Sequence, residues 1–116
     1  MIFRAEEKKV DLKENLRGGS GTIQLAGWME AGQFPAHYCM FSVITLEPGC
    51  SIGSHSHEGE SEIFYILSGE GTLNDNGKER KVCPGDVCVC YDGETHGIAN
   101  FGTERFEMLA AIVTNA

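Results

Sequence analysis

Apolar and polar positions along this chain fall into short runs, each closed by glycine, proline or an Asp/Asn turn. Tyr38–Leu46 is rich in β-branched and aromatic residues and is stopped by Glu47-Pro48-Gly49, which predicts a strand. Residues 51–57 alternate in an extended pattern, and residues 62–67, Glu-Ile-Phe-Tyr-Ile-Leu, are strongly β-prone up to Ser68-Gly69. Residues 71–74 and Lys78–Val82 flank Asp75-Asn76-Gly77. That spacing predicts a tight hairpin, because Asn and Gly both tolerate positive φ. Residues 86–91, 95–100 and 105–113 complete the series.

Ahead of Tyr38 the pattern weakens to a mixed-charge segment, a Gly18-Gly19-Ser20-Gly21 turn and a moderately apolar stretch over residues 22–29. The glycine cluster lacks the Gly-Lys-Ser/Thr ending of a phosphate loop, so it reads as a turn. No helical period is visible past residue 30, and one short N-terminal helical turn is all the pattern predicts. Many short strands with turns between them predict an all-β sandwich or barrel.

Composition narrows this picture. At 116 residues, with 41% hydrophobic and 22% charged positions, the chain suits one soluble domain with one core. No run approaches the ~18 apolar residues of a membrane span, and the N-terminus lacks a signal-peptide pattern, so a cytoplasmic protein with no membrane partner is expected. The net charge of −8 disfavours nucleic-acid binding. Residues 1–17 nevertheless hold five of the nine Lys/Arg. Five cysteines form an odd set, which argues against a disulfide framework and for free thiols, with Cys88 and Cys90 acting as small buried hydrophobes.

The candidate chemistry lies in the histidines. His55 and His57 are two apart in an extended segment, so alternation places both imidazoles on one face and Ser56 on the other. Neutral ring nitrogens so placed can share a first-row transition metal. Glu62 opens the next apolar run, where alternation sets it on the same side as Phe64 and Ile66; Glu58 and Glu60 compete with it but lie in a Glu58-Gly59-Glu60 turn. His96 lies in a further glycine-bounded strand. His37, after Pro35, reads as a surface or strand-entry residue, and Trp28, Phe34, Tyr38, Phe41, Phe64 and Tyr91 as packing aromatics.

The spacing of these residues resembles the two motifs of the cupin superfamily. Gly49, five residues, His55, one residue, His57, four residues, Glu62, six residues and Gly69 reproduce the first motif. Gly85, five residues, Tyr91, one residue, Gly93, two residues, His96, three residues and Asn100 follow the second, with Tyr91 where the family usually has proline. The resemblance implies a double-stranded β-helix, or jelly-roll, of six to eight antiparallel strands. It implies a barrel core over about residues 38–113 with an N-terminal extension over 1–37. It further implies that His55, His57, Glu62 and His96 hold one divalent metal ion, and that the chain pairs as a homodimer.

The implied donor set suits Mn, Fe, Ni, Co, Cu or Zn and leaves positions for an oxygen ligand. A compact, oxygen-rich small molecule is the expected partner. Binding without proven catalysis, a metal-dependent dioxygenase, a sugar isomerase or epimerase, and a non-enzymatic sensor all remain open, because this architecture hosts each of them.

Overall fold

The computed structural model describes residues 1–115. Ten strands run in order: β1 Lys9–Glu14, β2 Thr22–Gly27, β3 Tyr38–Leu46, β4 Ser51–Ser56, β5 Glu60–Ser68, β6 Gly71–Asp75, β7 Lys78–Val82, β8 Val87–Cys90, β9 Thr95–Ala99 and β10 Phe106–Thr114. From β3 onward they follow the runs read from the sequence, with ends displaced by a residue or two. Glu60 already belongs to β5, and His57 lies one residue beyond β4. Helical structure consists of three short 3-10 turns, Ala5–Glu7, Leu16–Gly18 and Ala31–Gln33, rather than the one expected.

The strands form a six-stranded sheet ordered β1-β2-β3-β10-β5-β8 and a four-stranded sheet ordered β4-β9-β6-β7. Pairing is antiparallel throughout. After β3 the chain passes repeatedly from one sheet to the other, as a jelly-roll requires. The N-terminal extension supplies β1 and β2. β2 pairs with β3 through Ala26 and Val43, and it sends Ile23 into the core with no exposed surface.

Alternation along the strands builds the core. In β5, Glu62, Phe64 and Ile66 are buried while Ile63, Tyr65 and Leu67 are exposed. Ile44, Leu46, Ile52, Leu73, Ile98, Phe106 and Met108 join Phe64 and Ile66 between the sheets. The predicted hairpin is present, with Asn76 at φ 52° and Gly77 at φ 91°. Asn76 also reaches the neighbouring strand: its Oδ1 accepts from the Thr95 N–H at 2.9 Å, beside His96.

Asn100 closes the opposite end of β9. Its side chain is fully buried, donating through Nδ2 to the carbonyls of Leu46 (2.9 Å) and Glu104 (2.8 Å) and accepting from the Gly102 N–H (3.0 Å). The second-motif asparagine thus ties the chain after β9 to the end of β3.

Candidate metal centre

β4 and β9 lie side by side, and a register shift between Ile52 and His55 sets His55 directly opposite His96. One extra residue in β4 re-aims the side chains that follow it, which is the usual effect of a bulge. His57 is held just past the strand end: its N–H donates to the Glu94 carbonyl (3.1 Å) and its carbonyl accepts from Gly93 (2.7 Å). Glu62 comes from the facing sheet, where β5 alternation turns it inward.

These four residues bring one ligand atom each within 4.8 Å of one another. His57 Nε2 and His96 Nε2 both stand 3.0 Å from Glu62 Oε1, and 3.1 Å from each other. The three imidazoles meet edge to face, with centroids 4.8–5.0 Å apart. Phe64 stacks on His96 at 5.0 Å and fixes that ring from below. His57, Glu62 and His96 are buried, whereas His55 is partly exposed. The cluster therefore opens on the His55 side.

A backbone carbonyl orients His55 from behind, and a carboxylate stands near His57. His55 Nδ1 lies 2.7 Å from the Gly53 carbonyl, so Nδ1–H donates there and the Nε2 lone pair is left free. Glu60 Oε2 stands 3.7 Å from His57 Nδ1. Burial holds the His55 imidazole below the ordinary histidine value, opposed by the Gly53 hydrogen bond and reinforced by His96, His57 and Arg17. A neutral imidazole is the form that ligates.

The donor set fits a transition-metal ion. Bonds of about 2.1 Å to nitrogen and oxygen place neighbouring octahedral donors roughly 3.0 Å apart, and the separations among His57, His96 and Glu62 are 3.0–3.1 Å. Hydrogen bonding alone accounts poorly for this convergence: if both Nε2–H groups donate to Glu62, they face each other donor to donor at 3.1 Å, a repulsion that a shared metal ion removes.

Of the competing carboxylates, Glu58 is exposed outside the cluster and Glu60 is half-buried behind His57, not solvated in a turn as read from the sequence. Its place three residues after His57 was the available signal. Nothing in the sequence signals the Gly53 carbonyl. His37 is exposed at the entry to β3, accepting through its carbonyl from Thr114. Only Phe64 among the six singled-out aromatics is buried. Tyr91 is 64% exposed in the turn before β9, its N–H bonded to Glu94 Oε1 at 2.9 Å.

All five cysteines are free; Cys88 and Cys90 are buried as expected, whereas Cys39 is exposed. Cys90 pairs directly with Glu62 across β8 and β5. Burial first, then the carboxylates of Glu94 and Glu62, push its thiol up to about 11, so it stands neutral near the cluster.

Fold and site together define a double-stranded β-helix barrel with a mixed histidine–carboxylate cluster inside it. The chain belongs to the cupin family: the Cupin domain family model matches residues 42–112. A curated relative, the oxalate-binding protein of Thermotoga maritima, is 41% identical over 113 residues, covering 97% of this chain and 93% of its own. A crystal structure from Thermotoga maritima, described as a predicted oxalate decarboxylase, superposes with a TM-score of 0.92 at 40% identity, covering 98% of this chain and 99% of that one. A Cupin 2 conserved barrel domain protein from Salinispora arenicola gives a TM-score of 0.73 at 29% identity, over 97% of this chain and 88% of that one.

Proposed function

We propose that His55, His57, Glu62 and His96 hold one divalent transition-metal ion, and that the loaded centre binds a compact dicarboxylate of the oxalate type. The carrying observation is the convergence of His57 Nε2, His96 Nε2 and Glu62 Oε1 at 3.0–3.1 Å, with His55 alongside. Similarity to an oxalate-binding protein over 97% of the chain supports the ligand class.

Within this reading the chain's residues have separate tasks. Glu62 contributes one negative charge to the ion, while the Gly53 carbonyl keeps His55 in the tautomer that presents Nε2. Phe64 packs an apolar ring against His96 and limits water on the inner side. When bound, the ion supplies a Lewis acid with open positions for two oxygens of a chelating ligand. Among the described residues, the buried histidines and carboxylates are His57, Glu62 and His96, all committed to the cluster. That favours binding over proton-transfer chemistry, which needs a further acid or base.

Protein purified without a histidine tag is expected to carry about one metal ion per chain by elemental analysis. Titration calorimetry of the loaded protein should then give saturable oxalate binding that disappears after chelation. A protein that stays empty after incubation with Mn, Fe, Ni and Zn overturns the reading.

The same proposal includes a homodimer, supported by the outer face of the six-stranded sheet. There the register aligns Val10, Ala26, Val43, Leu109, Tyr65 and Val87 in one apolar row across all six strands. Val10, Tyr65 and Val87 are 58%, 44% and 61% exposed. A contiguous apolar band of this kind marks an association surface. Sedimentation equilibrium is expected to return twice the 12.6 kDa chain mass, and Tyr65→Glu to shift the protein to monomer. A wild-type protein that sediments as monomer at micromolar concentration removes this part of the proposal.

A further inference from the structure

His57 is the one member of the metal cluster that lies outside a strand: His55 belongs to β4, Glu62 to β5 and His96 to β9. A ligand carried on a loop is held less precisely than one on a strand, so its place needs support from other residues. That support comes from the turn over residues 91–94, between β8 and β9. The Gly93 N–H donates to the His57 carbonyl at 2.7 Å, and the His57 N–H donates to the Glu94 carbonyl at 3.1 Å. The position of His57 therefore follows the position of this turn.

Asp92 fastens the turn to its surroundings. Its Oδ1 accepts from the Gly59 N–H at 2.7 Å, two residues after His57, and its own N–H donates to Ser61 Oγ at 3.1 Å, one residue before Glu62. Its Oδ2 accepts from Asn115 Nδ2 at 2.7 Å, and the Asn115 N–H donates in turn to the Gly59 carbonyl at 3.0 Å. One exposed residue thus joins the turn that grips His57, the loop that carries it and the chain just after β10. Asp92 itself stands outside the group of candidate ligands. It occupies the position between Tyr91 and Gly93 that the second motif leaves free, so the brace belongs to this chain and not to the motif.

We propose that Asp92 is a positioning residue of the metal centre: by bracing residues 91–94 against residues 59–61 and Asn115, it holds the His57 imidazole where Nε2 meets Glu62 and His96. This rests on the metal-binding reading above. Asp92 acts through its hydrogen bonds and not through its charge. Both bonds to its carboxylate have the short length of charge-assisted contacts, whereas the field of an exposed carboxylate is screened by water and salt.

The test is Co(II) binding to the full chain, read both as a dissociation constant and as the visible absorption band that reports ligand geometry. Asp92→Ala removes both acceptors and is expected to weaken Co(II) binding by roughly tenfold and to shift the band. Asp92→Asn removes the charge but keeps an Oδ1 acceptor for the Gly59 N–H, and rotation of the Asn115 amide restores the second bond. It should therefore recover most of the wild-type affinity and spectrum. Asn100→Ala, which loosens the far end of β9, should leave both readouts unchanged, so that a general loss of stability is not what they record. An Asp92→Ala protein with wild-type affinity and spectrum overturns this inference alone. So does an Asp92→Asn protein as impaired as the alanine variant, since charge would then be the active property. A wild type that binds no Co(II) overturns the metal-binding reading, and this inference with it.

Discussion

His57→Ala is expected to abolish stoichiometric metal loading while leaving a folded barrel. His57 is 3% exposed, and its Nε2 stands 3.0 Å from Glu62 Oε1 and 3.1 Å from His96 Nε2, at the centre of the donor set. Without it Glu62 faces an apolar interior with one imidazole close by, a poor site for a divalent ion. Because even groups behind the ligands change affinity by roughly tenfold to a hundredfold, loss of a ligand should exceed that range. Elemental analysis should fall from about one ion per chain to a trace, and added metal should no longer raise the melting temperature. A variant that loads and stabilises as the wild type does would remove His57 from the ligand set.

Asn100→Ala is expected to cause the largest loss of stability without touching the cluster. The side chain is fully buried and makes three hydrogen bonds, two to carbonyls and one from an amide. Alanine leaves the buried Leu46 carbonyl unpaired, at about 1–3 kcal/mol, while the Gly102 N–H and Glu104 carbonyl belong to exposed residues within reach of water. A loss of about 2 kcal/mol should lower the melting temperature by roughly 5–10 °C in a domain of this size. Metal content measured well below the transition should remain near one per chain, which separates a structural role from a ligand role. A melting temperature unchanged within a degree or two would show that water replaces the side chain at no cost.

Much of the barrel was legible before the structure, and for identifiable reasons. Strands β5 and β10 each bury one face, so their side chains alternate, and alternation is visible in sequence; β7, exposed except for Val82, was legible from the Asn-Gly turn before it. Glu62 was distinguishable from Glu58 and Glu60 because it opens the apolar run while they flank the Gly59 turn; phase alone does not separate them, since all three share the parity of Phe64 and Ile66. β1 was not legible, since every one of its residues is exposed and Val10 and Leu12 lie on the outer face. β2 read only as a weakly apolar stretch, because apart from Ile23 its residues are exposed or half-buried. Tyr91 replaces the expected proline with a donor, because its backbone N–H, which proline lacks, bonds to Glu94 Oε1 in the turn while its ring is exposed.

By itself the sequence determined the all-β class, the run of strands and the residue types able to form a metal cluster, because alternation, turn chemistry and spacing are local properties. Only the tertiary structure decided that His55 faces His96, since that follows from a register shift between paired strands. The Gly53 carbonyl behind His55 was likewise settled only by three-dimensional packing. Backbone carbonyls and cross-sheet neighbours leave no mark in a linear pattern, and they are what turn four well-spaced residues into a site.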